Sequence, residues 1–237
     1  MNLRVAILAI GSLVWDGKCH RQKWRNERLR LCDRERVKAP IRYGRKSDSR
    51  GDTYTMVFSD RDSDKMGWGL AIPCVQKAQS TDDLVSEAEA LWAAEQSKKT
   101  PAGPLSASWG CVGMIVTPNL PQKSDIICEW SQVVRSRPAY QQSLYACEKE
   151  PIIDKGGILD ISWPKIGNKK YYDGADILLA TVNRSDPDDG PSPKEIAKAW
   201  KDDSKGNIRY FLKNQEWEIA TAEDEEIKNC LCPKESN

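Results

Sequence analysis

The chain has 237 residues, of which 39% are apolar, enough for a sizeable core at a length between one decorated domain and two small ones. Its 36 Lys and Arg balance 35 Asp and Glu, so a formal charge of +1 excludes a global field that would gather nucleic acid or an anionic membrane. Any such binding has to be local.

In chain order, Arg4-Val5-Ala6-Ile7-Leu8-Ala9-Ile10 is an aliphatic run ending at Gly11, the pattern of a strand buried on both faces. Val5 to Ile10 is the longest apolar run and only Arg4 stands before it as a cation. It is too short to span a bilayer and lacks the flanks of a signal peptide, so a cytoplasmic protein is the default expectation. The basic stretch Lys18 to Lys38 is read as a solvated, partly helical excursion, with an anion-facing patch as its alternative. Further strands are expected at Tyr54 to Phe58, Gly69 to Val75, Cys111 to Thr117, Ile126 to Trp130 and Asp176 to Val182, each bounded by Gly, Pro, Asp or Asn.

Three helices are expected. The clearest covers Asp82 to Gln96, entered through Ser80-Thr81, which cap amides, and Asp82-Asp83, which suit the positive helix end. The second starts at Ser192-Pro193-Lys194-Glu195, a capping serine, a first-turn proline and a glutamate three residues on, with Ile196, Ala199 and Trp200 inward. The third covers Asn207 to about Gln215 with Ile208, Phe211 and Leu212 inward. The eight cysteines are scattered, which favours reduced and mostly buried thiols over a disulfide framework. Nine Trp against two Phe make Trp the main aromatic packing residue rather than a base-stacking platform.

With His20, read as a surface residue, as its one histidine, the chain leaves a Ser-His-Asp triad or a multi-histidine zinc site no other histidine to draw on. Cys230-Leu231-Cys232 has neither zinc-knuckle spacing nor a second cysteine pair, so it is read as part of a mobile tail over 226–237. No glycine-rich phosphate loop follows a strand, because Gly11 stands alone. What remains is a turn and a glutamate. Gly11-Ser12-Leu13 after a buried strand is either a simple turn or a concave donor site in which backbone amides meet a carboxylate or oxyanion. On the helix over Asp82 to Gln96, residues about 100° apart put Leu84, Ala88, Leu91 and Glu95 on one stripe, with Glu87 and Glu89 on solvated flanks. A core-facing Glu95 either finds partners or has its charged form disfavoured by burial, the condition of a proton-shuttling group. Near a helix end it also has the option of reaching solvent.

The order Ile7-Leu8-Ala9-Ile10-Gly11-Ser12-Leu13-Val14-Trp15-Asp16, then Arg45-Lys46-Ser47-Asp48-Ser49-Arg50-Gly51-Asp52, then Gly67-Trp68-Gly69-Leu70-Ala71-Ile72, then Leu91-Trp92-Ala93-Ala94-Glu95, resembles γ-glutamylcyclotransferase-like proteins, including the ChaC branch. The likeness covers about the first 100 residues, with 101–225 as strand and helix elaboration of a single domain. It implies an α+β fold, a small mixed β-barrel flanked by helices, with loop and glutamate facing one cavity. It further implies cyclisation of a γ-glutamyl group to 5-oxoproline with release of an amine, using no metal and no cofactor. Glu95 would be catalytic, and Ile10, Gly11, Ser12, Leu13, Arg45, Ser47 and Arg50 would hold the substrate. Two positions depart from the family pattern: Ile10 replaces a tyrosine, and Gln96 replaces a glycine after the glutamate. The rival expectation is a non-catalytic module that binds a small carboxylate through Arg45 or Arg50; a nucleic-acid protein using residues 18–38 with Trp24 ranks third, and neither nucleic acid nor a membrane is the expected partner.

Overall fold

The structure, a computed structural model, describes residues 1–47, 53–59, 65–96, 105–137, 140, 152–167, 170–186, 190–201 and 208–232. Its strands are β1 (Val5–Ala9), β2 (Glu35–Ala39), β3 (Ile41–Ser47), β4 (Thr53–Phe58), β5 (Gly67–Pro73), β6 (Ser106–Ala107), β7 (Gly110–Val116), β8 (Lys165–Ile166), β9 (Lys170–Tyr171) and β10 (Ile177–Asn183). Its helices are α1 (Cys19–Arg28), α2 (Thr81–Glu95), α3 (Lys123–Arg135), α4 (Pro193–Lys201), α5 (Ile208–Glu216) and α6 (Asp224–Leu231).

The aliphatic runs with no alternation lie in the middle of one sheet, where both faces are covered and every position must be apolar. β1 pairs in parallel with β10 and antiparallel with β5, and all five of its residues are buried. The order across the sheet is β6-β7-β10-β1-β5-β2-β8-β9. The expected barrel is not present among the described residues: the ladder runs open from β6 to β9. Pro40, which carries no N–H, separates β2 from β3. From there β3 and β4 pair only with each other. This hairpin meets β10 through a side chain, Asn183 Nδ2 donating to the Met56 carbonyl at 3.2 Å, rather than through a ladder.

α2 begins where its cap predicts, with the Ser80 side chain accepting from Asp83 N–H and the Asp83 side chain returning a bond to Ser80 N–H. Such a box is worth about 1 kcal/mol. The box at Ser192 and Glu195 also forms, and Ile196, Ala197 and Trp200 are the buried residues of α4, in place of the expected Ala199. In α5 the buried residues are Tyr210, Phe211 and Asn214, while Ile208 and Leu212 stay exposed.

Three other expectations change. Ile126 to Trp130 is helix, not strand: Ile126, Trp130 and Val134 recur every four residues and form the buried side of α3. Residues 226–231, assigned to a mobile tail, complete α6, which is anchored by the fully buried Ile227 and packs on α4. Of the described cysteines only Cys74 and Cys111 are buried, and burial pushes both thiols up. Trp92, Trp130 and Trp200 are among the largest fully buried side chains, as the Trp-rich composition implies. No helix among the described residues is long and apolar enough to cross a membrane.

Candidate functional site

Gly11 leaves β1 in extended backbone at φ −176°, a conformation open to any residue, so the turn itself does not require glycine. Space does. A Cβ here would lie 2.7 Å from the Tyr210 hydroxyl, which α5 delivers onto Gly11. Tyr210 is buried, and its oxygen accepts from Met56 N–H of the hairpin at 3.4 Å. Ser12–Val14 then form one 3-10 turn, closed by Val14 N–H to the Gly11 carbonyl at 3.4 Å and Asp16 N–H to the Ser12 carbonyl at 2.8 Å.

Two arginines of α1 clamp this turn. Arg25 donates to the carbonyls of Leu13 and Asp16 at 2.7 and 2.8 Å. Its burial pulls the guanidinium below its ordinary pKa; Asp16 opposes that shift and Arg21 adds to it. Arg21 uses all three of its nitrogens. Nε donates to the Ala94 carbonyl at 3.1 Å, Nη1 to Ser12 Oγ at 3.2 Å and Asp16 Oδ2 at 3.0 Å, and Nη2 to Glu95 Oε2 at 2.7 Å. One buried cation therefore joins the turn after β1 to the last residue of α2. Of the alternatives open for Glu95, the structure takes the first, a partner. The Arg21 side chain is 8% exposed and that of Glu95 16%, so the carboxylate is the member of the pair that solvent reaches.

Eight residues earlier on α2, Glu87 corrects the helix wheel. It is buried and pairs with Arg28 at 2.9 Å, because α1 packs along this flank and widens the covered arc of α2. Burial pushes its carboxyl above the usual range, against the opposing pull of Arg28. Glu89, on the other flank, is half-buried and pairs with Arg137 at 2.7 Å.

The remaining expected site residues divide. Ile10 is buried and lies toward Gly69, an apolar filling side chain. Leu13 is buried and offers its carbonyl to Arg25. Arg45 lies over the Trp109 ring at 5.6 Å, and Trp109 stacks on Trp92 at 4.9 Å, one turn before Glu95. Ser47 is buried at the end of β3 opposite Thr53. Arg50 lies outside the described residues. A cavity of about 60 Å³ lies elsewhere, lined by Ile41, Arg42, Ser59 and Thr221 and including none of Gly11, Ser12 and Glu95.

Arg21, Asp16 and Tyr210 are the site components that sequence reasoning passed over. The signal for the first was present: Arg21, Trp24, Arg25 and Arg28 fall at i, i+3, i+4 and i+7, the spacing of one helix face. Trp24 is buried on that face, which ends its candidacy as a stacking platform. Comparison with protein-family models, with curated proteins and with solved structures gives no match.

Proposed function

We propose that the chain is a cofactor-independent cyclotransferase of the γ-glutamyl type, acting on a small γ-glutamyl amide or peptide. The observation that carries the reading is the shared guanidinium: Ser12 of the turn and Glu95 of α2 are bonded to the same Arg21 side chain. That puts a turn with backbone donors and a part-exposed carboxylate side by side, the two components this chemistry needs.

In the reaction, Glu95 takes a proton from the substrate's α-ammonium. The freed amine attacks the γ-carbonyl carbon, a C–N bond forms, and negative charge develops on the carbonyl oxygen beside residues 10–13. The attacking nitrogen gives up its second proton as collapse breaks the original amide C–N bond, and the leaving nitrogen gains both protons, one returned by Glu95 and one through solvent, giving 5-oxoproline and the protonated amine. Arg21 holds Glu95 through Oε2 and leaves Oε1 as the atom available for the proton. Tyr210 supplies a hydroxyl beside Gly11, where Ile10 supplies none. The test is release of 5-oxoproline and amine in equal amounts from a panel of γ-glutamyl amides and peptides. A γ-glutamyl compound that raises the melting temperature but is recovered intact would instead favour the non-catalytic carboxylate-binding module.

A further inference from the structure

At the far edge of the sheet, cross-strand pairing builds a row of cations and aromatics on one face. Trp68 of β5 is the direct partner of Lys38 on β2, Lys38 is the partner of Lys165 on β8, and Lys165 is the partner of Tyr171 on β9. Directly paired residues point to the same side, so the four side chains form a line across three strand spacings, about 14 Å. The contacts agree: Lys38 Nζ lies 5.1 Å from the Trp68 ring centre, and Lys165 Nζ 5.2 Å from that of Tyr171. Arg36, two residues before Lys38 and on the same side, stacks over Trp68 at 4.1 Å. Arg34 lies over Trp217 at 5.3 Å and extends the row. The alternate residues of β2, Val37 and Ala39, point the other way into the core.

Arg36 Nε donates to the Glu218 carbonyl at 2.9 Å and Arg34 Nη1 to the Leu31 carbonyl at 3.1 Å, contacts that orient the guanidinium groups without neutralising them. By contrast Lys23 pairs with Glu27, Arg30 with Asp33, and Lys170, the neighbour of Tyr171 on β9 and pointing to the opposite side, with Asp173. Arg34, Arg36, Lys38 and Lys165 have no carboxylate partner among the described residues. In a chain of net charge +1, this is a concentration of uncompensated positive charge. Tyr171, at its outer end, is 56% exposed, the most exposed large apolar side chain in the molecule as described.

We infer that this β5-β2-β8-β9 face binds single-stranded nucleic acid, the phosphates meeting Arg34, Arg36, Lys38 and Lys165 and a base stacking on the exposed ring of Tyr171. The occupant follows from complementarity. Cations alone would suit any polyanion, but a row of cations that ends on an exposed aromatic ring suits a polyanion that carries planar rings of its own, and duplex DNA keeps its rings inside. The surface is independent of the Arg21 site.

The test is fluorescence anisotropy of the full chain with short labelled oligothymidylate, oligouridylate and an abasic strand of the same length, across a salt series. Four phosphate-contacting cations predict a log K against log salt slope of about −3. Lys38→Glu combined with Lys165→Glu should flatten that slope, and Tyr171→Ala should weaken binding about fivefold or more at fixed salt with the melting temperature unchanged. Tighter binding of the ribose or the deoxyribose strand identifies the natural partner as RNA or DNA. The abasic strand binding as tightly as the base-bearing ones would overturn the proposal in favour of a bare polyanion, and the absence of salt-dependent binding would overturn it outright.

Discussion

Two carboxylates of α2, both paired with arginines of α1, are built with opposite polarity. At Glu87 the acid is buried, 7% exposed, and Arg28 is the outer partner at 39%; at Glu95 the cation is buried, and the acid is the outer partner at 16%. Seven residues on α1 and eight on α2 separate the two pairs, about two turns on each helix, so the same antiparallel packing makes both. The first arrangement suits a structural pin, because the group that has lost its water is the one being held. The second suits a working carboxylate: a buried guanidinium tied to four acceptors bonds one oxygen of Glu95 and leaves the other without a hydrogen-bond partner among the described residues. A buried acid next to a half-exposed base and a part-exposed acid next to a buried base are different devices, though both are ion pairs.

The comparison can be broken by removing each cation in turn. Arg21→Ala leaves Glu95 without its cation and Asp16 with only Lys18 at 4.0 Å, and also frees the Ala94 carbonyl and Ser12, so the expected loss is about 3–5 kcal/mol in denaturant unfolding at neutral pH. A loss below about 1 kcal/mol would show that the guanidinium is not the hub of this end of the molecule. Arg28→Ala should cost less, about 1–3 kcal/mol, because the buried Glu87 it leaves unpaired can limit its desolvation cost by taking up a proton. This deficit should also depend on pH. Glu87 has a carboxyl raised in the folded state, so its charged form costs stability above the usual carboxylate range, and that cost is relieved as pH falls through the folded value. Without Arg28 to oppose the shift, the variant should regain stability relative to wild type on acidification; parallel curves for the two proteins would contradict the assignment. The smallest effect is at the start of the helix that carries both acids: Ser80→Ala should cost about 1 kcal/mol without altering either pair, read as a matched downward shift of the unfolding midpoint.

The parts legible in the sequence are those whose signal is local. β1, β4, β5, β7 and β10 stand out as apolar runs between turn residues, and α2 and α4 carry their caps in the chain itself. α3 was misread because Ile126-Ile127-Cys128 is too short a run to separate period two from period four. The open strand order depends on pairings between residues as far apart as Val5 and Ile177, which no local pattern reports. At the candidate site the same division holds. Gly11, Ser12 and Glu95 were visible as a turn after a buried strand and an acid on an apolar stripe. Arg21 was counted among solvated cations, since charge composition does not distinguish an arginine at the surface from one whose acceptors lie 73 residues away at Ala94. Glu87 failed for the mirror reason: the helix wheel sees one covering surface, the sheet, and not the second one supplied by α1.

The most direct test of the account compares wild type and Glu95→Gln for release of 5-oxoproline from γ-glutamyl substrates, with unfolding curves of both proteins measured alongside. The isosteric change keeps a carbonyl oxygen to accept from Arg21 and removes the proton acceptor. Turnover should therefore fall about 10²–10⁴-fold, while the fold is retained. Turnover by the variant equal to that of wild type would contradict the role given to Glu95 and with it the distinction between the two carboxylates.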